Sequence, residues 1–238
     1  MGAAILSVNG VNKRFGGLTA VYDMSFDVRD GEVIGLMGPN GAGKTTLLNV
    51  LSGEHRPDSG EIKFKGRDIV GLPPHKICHI GIARTYQIPQ PFTNLSVREN
   101  LLVAALYGRG ISKDAAETEL TALYDLVGLS DKKDTLCKDL ATINLKKLEL
   151  ARALASDPAL ILLDEVGAGS TEAEIPQILD TIKKISEMGK TIIIVEHIIK
   201  VMVEAVDRLV VMDKGSKIAE GTPNEIMEDK KVIDAYLG

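Results

Sequence analysis

The chain has 238 residues, 45% hydrophobic and 26% charged, which suffices for one large domain or two small ones with a substantial core and excludes a disordered polypeptide. Its net charge of −5 argues against a general nucleic-acid binder, and no run of ~18 apolar residues would cross a membrane. Cys78 and Cys137 are too few for a disulfide framework and suit a reducing compartment, and the opening MGAAILSVNG lacks the basic and apolar segments of a signal peptide, so none is expected.

Residues 5–11 and 21–28 alternate apolar with polar side chains, which predicts two antiparallel strands with one exposed face and a turn at Arg29-Asp30-Gly31. Residues 33–37 predict a short buried strand running into GPNGAGKTT, that is Gly38, Pro39, Asn40, Gly41, Ala42, Gly43, Lys44, Thr45 and Thr46, and then a helix over 44–51. This run fits G-x-x-x-x-G-K-[ST] in the strand-loop-helix context that the motif requires. Glycines let main-chain N–H groups close around phosphates, and a helix N-terminus adds a positive dipole end. Lys44 is expected to reach the β and γ phosphates of a nucleotide, and Thr45 to give its hydroxyl to Mg²⁺.

Beyond residue 88 the strands give way to helical periods around 97–107, 115–127 and 145–155, which predicts a helical subdomain over 88–157 inserted in an α/β core made of 1–87 and 158–238. Residues 159–163 and 191–195 are apolar runs of parallel-strand type, with a helix expected near 172–188 between them. LILLDE carries Asp164 to the carboxyl end of its strand, where ligands sit in open α/β sheets. Asp164 is suited to hold a metal through water and Glu165 to polarise an attacking water. IIIVEH ends the next strand with His197, whose ring is suited to donate to the γ phosphate. Residues 208–212 and 216–219 read as a closing hairpin. The N-K-x-D base-reading motif of small GTPases is absent.

In this order, Phe15 in KRFGG, the phosphate loop, Gln87 in ARTYQIPQPF, a helical insert, LILLDE and EH resemble the ATP-binding-cassette (ABC) ATPases. Within that superfamily the chain is most similar to the branched-chain amino acid importer ATPase subunits, through KRFGGLTAV, GIARTYQIPQPF and the tail VIDAYLG. The resemblance implies a single cassette over 1–238: a P-loop NTPase with a RecA-like, mostly parallel sheet, an antiparallel β subdomain and an inserted α-helical subdomain. It implies Phe15 stacked on adenine, Gln87 touching Mg²⁺ and the attacking water, and ATP with Mg²⁺ as ligands. It implies a membrane partner for the segment after Gln87, hence transmembrane permease subunits, an extracytoplasmic substrate-binding protein acting through them, no nucleic acid, and a peripheral site on the cytoplasmic face of the membrane. The same cassette in urea, amide or lipid transport, and a slow nucleotide-dependent clamp, are the alternatives.

One stretch departs from the family. Where the family has L-S-G-G-Q, which clamps the γ phosphate held by the other subunit of a head-to-tail dimer, this chain has Leu140, Ala141, Thr142, Ile143 and Asn144. Ala141 lacks the hydroxyl, and Ile143 puts a branched side chain where glycine would let the backbone approach phosphate. Thr171 replaces an aspartate or asparagine, Ile198 an aspartate, and the loop after Glu165 lacks its usual proline. The expectation is a second, non-identical ATPase subunit that supplies an intact signature, with Lys146, Lys147 and Arg152 facing the partner's nucleotide.

Other signals read as structure. His75, Cys78 and His79 in PPHKICH are expected on a surface helix, Asp131 to Asp134 in a solvated turn, Leu120, Leu123, Leu126 and Val127 in helix core, and Gly16-Gly17 in a turn that aims Phe15.

Overall fold

The computed structural model describes residues 4–237; residues 1–3 of the opening stretch and Gly238 of the VIDAYLG tail lie outside them. Strands β1 (Ala4–Phe15) and β2 (Leu18–Arg29) pair antiparallel across a turn at Gly16 and Gly17. They are longer than the alternation predicts because the register slips between Val8 and Val11 and again before Lys13 and Arg14. Such bulges break the period of two while the ladder continues. Strand β3 (Val33–Met37) is buried throughout and leads through the glycine loop to helix α1 (Lys44–Leu51). Strands β4 (Ser59–Phe64) and β5 (Arg67–Asp68) complete a four-stranded antiparallel sheet in the order β2-β1-β4-β5.

Helix α2 (Pro74–His79) precedes strand β6 (Ile82–Arg84), after which the chain leaves the sheets for helices α3 (Val97–Arg109), α4 (Lys113–Val127) and α5 (Thr142–Ala155). Two of these carry strong start and stop signals. Ser96 and Glu99 form a reciprocal capping box on α3 and Ser112 caps α4, while Gly110 and Gly128 end them in left-handed conformation. Helix α5 has no side-chain cap at Ala141. Strand β7 (Leu160–Asp164), helix α6 (Ile175–Glu187) and strand β8 (Thr191–Val195) follow; then come helix α7 (Ile199–Glu204), the hairpin of β9 (Arg208–Asp213) with β10 (Ser216–Gly221), and helices α8 (Pro223–Glu228) and α9 (Lys230–Leu237).

The six-stranded second sheet runs β10-β9-β3-β8-β7-β6, with every pair parallel except β9 with β10. Both of its faces are covered. Ile34, Leu36, Leu160, Leu162, Ile193 and Val195 pack with α1 and the antiparallel sheet, whereas Val33, Met37, Ile161, Leu163, Ile192 and Ile194 pack with α3, α4 and α5. Two-sided burial explains why these strands are continuous apolar runs. The register pairs Leu36 and Asp164 with Val195, so the carboxyl ends of β3, β7 and β8 come out side by side. No helix among the described residues is long and apolar enough to cross a membrane.

Candidate active site

The glycine loop is shaped by what surrounds it. Gly38, at φ 146, lies so close to β9 that an added Cβ would come within 2.1 Å of the Met212 carbonyl oxygen, and Gly43, at φ 102, so close to β2 that one would come within 2.1 Å of the Ala20 carbonyl oxygen. No side chain larger than hydrogen fits at either position. The first turn of α1 has neither a side-chain cap nor an acidic residue, so its positive end is open to an anion. Lys44 is 7% exposed, and its ammonium donates to the carbonyls of Gly38 at 2.7 Å and Pro39 at 3.0 Å. Burial pushes its pKa down, against the pull of the Glu165 and Asp164 carboxylates. The ammonium that is to meet phosphate thus rests on the loop itself.

Glu165 stands one residue past the end of β7 in the left-handed region, at φ 51, with its N–H donating to the Val195 carbonyl at 2.9 Å. A non-glycine residue held there costs on the order of 1–3 kcal/mol. The twist brings its carboxylate to two predicted partners: the Gln87 amide nitrogen donates to Oε2 at 2.6 Å, and His197 Nε2 lies 2.8 Å from Oε1. Glu196, which the motif reading passed over, is 4% exposed and accepts from the N–H groups of Gly167 and of His197, so it secures the turn after Glu165 and the base of the histidine. Burial pushes the Glu196 pKa up, partly offset by those N–H groups.

Asp164 is 3% exposed and receives the Thr85 hydroxyl oxygen as acceptor of its N–H at 3.0 Å. Burial pushes its pKa up, against the Arg84 and Lys44 charges, and Arg84 Nη2 donates to its Oδ2 at 2.8 Å. Thr45, Asp164 and Gln87 offer a hydroxyl, a carboxylate and an amide carbonyl. This all-oxygen donor set suits Mg²⁺, and with no cluster of three His, Cys, Asp or Glu among the described residues, a cation here would rely on phosphate oxygens and water as well.

Phe15 is 43% exposed, edge-on to His55 at 5.2 Å. It lines one wall of a cleft of about 450 Å³ whose floor is Asn40, Gly41, Ala42, Gly43, Lys44, Thr45 and Thr46 and whose far side is Glu165 and His197. Gly38, Pro39, Asp164 and Gln87 do not line it; the Gly38 and Pro39 carbonyls hold Lys44, Gln87 holds Glu165, and Asp164 is held in turn by Arg84 and Thr85.

The altered signature begins α5, with Ala141 at the N-cap (φ −65, ψ 152) and Ile143 in the first turn, 39% exposed. Two of the three basic side chains expected to face a partner's nucleotide have hydrogen-bond partners within the chain. Lys146 donates to the Ala168 carbonyl, and Arg152 donates to the Gln90 carbonyl at 2.8 Å and to Glu149 at 3.0 Å. Of the three, only Lys147 forms no ion pair or hydrogen bond among the described residues, whereas Arg152 is tied to the buried Glu149 carboxylate. The histidines of α2 behave as a surface helix, with His79 Nε2 on the Tyr107 carbonyl at 2.8 Å.

Comparison with known proteins agrees with this geometry. The family described as ABC transporter matches residues 21–168, and that described as Branched-chain amino acid ATP-binding cassette transporter matches residues 216–238. The chain is 35% identical to the high-affinity branched-chain amino acid transport ATP-binding protein LivG of Salmonella typhimurium, covering 100% of this chain and 99% of that one. It is 36% identical to the corresponding protein BraF of Pseudomonas aeruginosa, with the same 100% and 99% coverage. Among solved structures it superposes on a nucleotide-free ATP-binding cassette from an ABC transporter with a TM-score of 0.89 at 30% identity, covering 99% and 100% of the two chains. An ADP conformation of such a cassette matches with a TM-score of 0.88, also at 30% identity, covering 99% of each chain. A phosphate loop closed by two sterically obligatory glycines, set beside Glu165, Gln87 and His197 in a full-length match of this kind, means that the chain belongs to the ABC transporter family, as one of its ATP-binding cassettes.

Proposed function

We propose that this chain hydrolyses ATP to drive a membrane importer for branched-chain or related amino acids, as one of two non-identical cassettes. The observation that carries the proposal is the Glu165 carboxylate suspended between Gln87 and His197 on the far side of the cleft from Phe15. In this reading Phe15 stacks on adenine, the loop amides and Lys44 hold the phosphates, and Lys44 leaves the Gly38 and Pro39 carbonyls to do so. Thr45, Asp164 and Gln87 hold Mg²⁺, which when bound neutralises phosphate charge. Glu165 takes a proton from the attacking water while His197 orients it and donates to the γ phosphate. Residues 1–87 and 158–238 act as the core and 88–157 as a helical arm that moves against it.

The arm is also the reading's link to the membrane. Ile88, next to Gln87 in the chain, is 74% exposed, and Phe92 (49%) and Tyr107 (75%) line a groove with Tyr86, apolar surface that suits a permease partner at the cytoplasmic face. An extracytoplasmic binding protein would act through that permease, as the relatives' names for a transport ATP-binding protein support. Ala141 and Ile143 favour a second cassette with an intact signature, and they equally favour a slow nucleotide-dependent clamp. Turnover measured with and without co-expressed membrane and cassette partners separates the two. Fast, cooperative hydrolysis by the purified chain alone would exclude both the heterodimer and the clamp, and turnover that stays slow in the solubilised complex would favour the clamp.

A further inference from the structure

Arg84 has no part in the chemistry just described, yet it binds more of the site's framework than any residue that does. Its side chain is 6% exposed, and Nη2 donates to Asp164 Oδ2 at 2.8 Å. Nη1 donates to Asn49 Oδ1 and to Ser52 Oγ at 3.3 Å, both at the carboxyl end of α1, and lies 3.6 Å from Glu54. The guanidinium carbon sits 5.1 Å from the centre of the Tyr86 ring, whose hydroxyl donates to Glu54 at 2.6 Å. One planar cation therefore joins the helix that opens with Lys44 and Thr45 to the strand that ends with Asp164.

We propose that Arg84 is a positioning residue that sets the divalent-cation affinity of the site, by fixing Asp164 and the Thr45 helix relative to each other. The inference rests on the reading of the cleft as a Mg²⁺–ATP site. Asn49 is one turn beyond Thr45 on the same face of α1, so a guanidinium gripping Asn49 also sets the height of the Thr45 hydroxyl. On the other side it occupies Oδ2 of Asp164, whereas Oδ1 accepts no hydrogen bond from the described residues and is the oxygen left for a cation or its water. Two groups that must meet one ion are held by one rigid fork. Lysine has the charge but not the fork, so it cannot bridge both.

The test separates metal from nucleotide. Mn²⁺ binding to the ATP-loaded protein is titrated by electron paramagnetic resonance, and ATP binding in EDTA is measured by calorimetry, for the unmodified chain, Arg84→Gln and Arg84→Lys. Both variants should weaken Mn²⁺ by about tenfold or more, the cost typical of losing a partner that orients a metal ligand, while ATP affinity in EDTA stays within about twofold. Unchanged Mn²⁺ affinity, or an equal loss in both titrations, overturns the role of Arg84. Should neither variant fold, Asn49→Ala decides: a severalfold weakening of Mn²⁺ supports the proposal and none overturns it. An unmodified chain that binds ATP without taking up Mn²⁺ would instead overturn the Mg²⁺–ATP reading beneath it.

Discussion

Glu165 Oε1 and His197 Nε2 lie 2.8 Å apart, although they follow the ends of different strands and 32 residues separate them. They meet because Asp164 and Val195 are register partners on β7 and β8. Groups that act on one water as a unit should not contribute additively. Glu165→Gln and His197→Ala should each lower turnover by roughly 10²–10⁴-fold, and the double variant should be no slower than about the worse single one. Binding of ATP should persist in all three, since none of the substitutions touches the loop amides or Lys44. Steady-state hydrolysis beside equilibrium binding checks this, and a double variant whose losses multiply would show that the two side chains act independently.

Lys44 offers a second, cleaner reading of the loop. At an ATP concentration a hundredfold above Kd, binding should stabilise the chain by about 2.7 kcal/mol, or roughly 5–10 °C in Tm for a protein of this size. Lys44→Ala should abolish that shift. It should also lower the Tm of the ligand-free protein by a few degrees at most, because the Gly38 and Pro39 carbonyls lose an internal donor but can turn to water. A ligand-induced shift that survives Lys44→Ala would remove the ammonium from phosphate binding.

How much of this was legible in the sequence follows the range of the interactions. Residues 38–46, LILLDE and IIIVEH report themselves because loop, strand and chemistry are contiguous, and two-sided burial makes the strands uninterrupted apolar runs. Strands β4, β5 and β6 left no comparable trace. The first starts in exposed residues, the second has two residues and the third three, and each exists only because a neighbouring strand supplies its ladder. Helix α7 is hidden differently: its IKVMVE run is too short and too apolar to tell from a strand. At the site, the motifs and the family resemblance point to Phe15, Gln87, Glu165 and His197, whereas they do not point to Arg84 or Glu196. Both lie inside quoted motifs, but their partners, Asp164 and Gly167, are 80 and 29 residues away and no local spacing announces them. The same limit hides the intrachain partners of Lys146 and Arg152, Ala168 and Gln90, which are 22 and 62 residues distant.

Acid stability should depend on Glu32. Burial alone would push its carboxyl up, but the Arg208 fork at 2.9 and 3.0 Å and the Arg29 N–H at 2.8 Å outweigh burial and hold it below its ordinary value of 4.5. A depressed carboxyl adds stability that is complete above the unfolded value and disappears as pH falls through the folded one. Glu32→Gln should therefore cost about 1–3 kcal/mol at neutral pH, and its deficit should shrink steadily below pH 4.5 as the unmodified chain loses the pair. Urea unfolding from pH 7 to pH 3 checks this. A deficit that does not change with pH would mean that packing, not charge, joins β3 to β9 here.

The altered signature separates stability from activity in an unusual way, because the position that lost its hydroxyl is also a helix cap. Ala141 has the extended backbone of an N-cap, φ −65 and ψ 152, without a side-chain acceptor for the first-turn N–H groups of α5. Ala141→Ser should supply one and stabilise the protein by about 0.5–2 kcal/mol. Ile143→Gly works the other way, costing α5 roughly 0.5–1 kcal/mol in helix propensity while freeing the backbone for a partner's phosphate. The pair of substitutions should then leave stability nearly unchanged and raise the turnover of the purified chain, since each of two copies would now present a hydroxyl and an open amide to the other. Thermal unfolding and hydrolysis of the single and double variants check both halves of the argument. Faster hydrolysis only in the double variant would assign the loss to Ile143 as much as to Ala141. No gain in either, despite a stabilised α5, would turn attention to Thr171 and Ile198, which also depart from the family, and an aspartate at each would be the next substitution to measure.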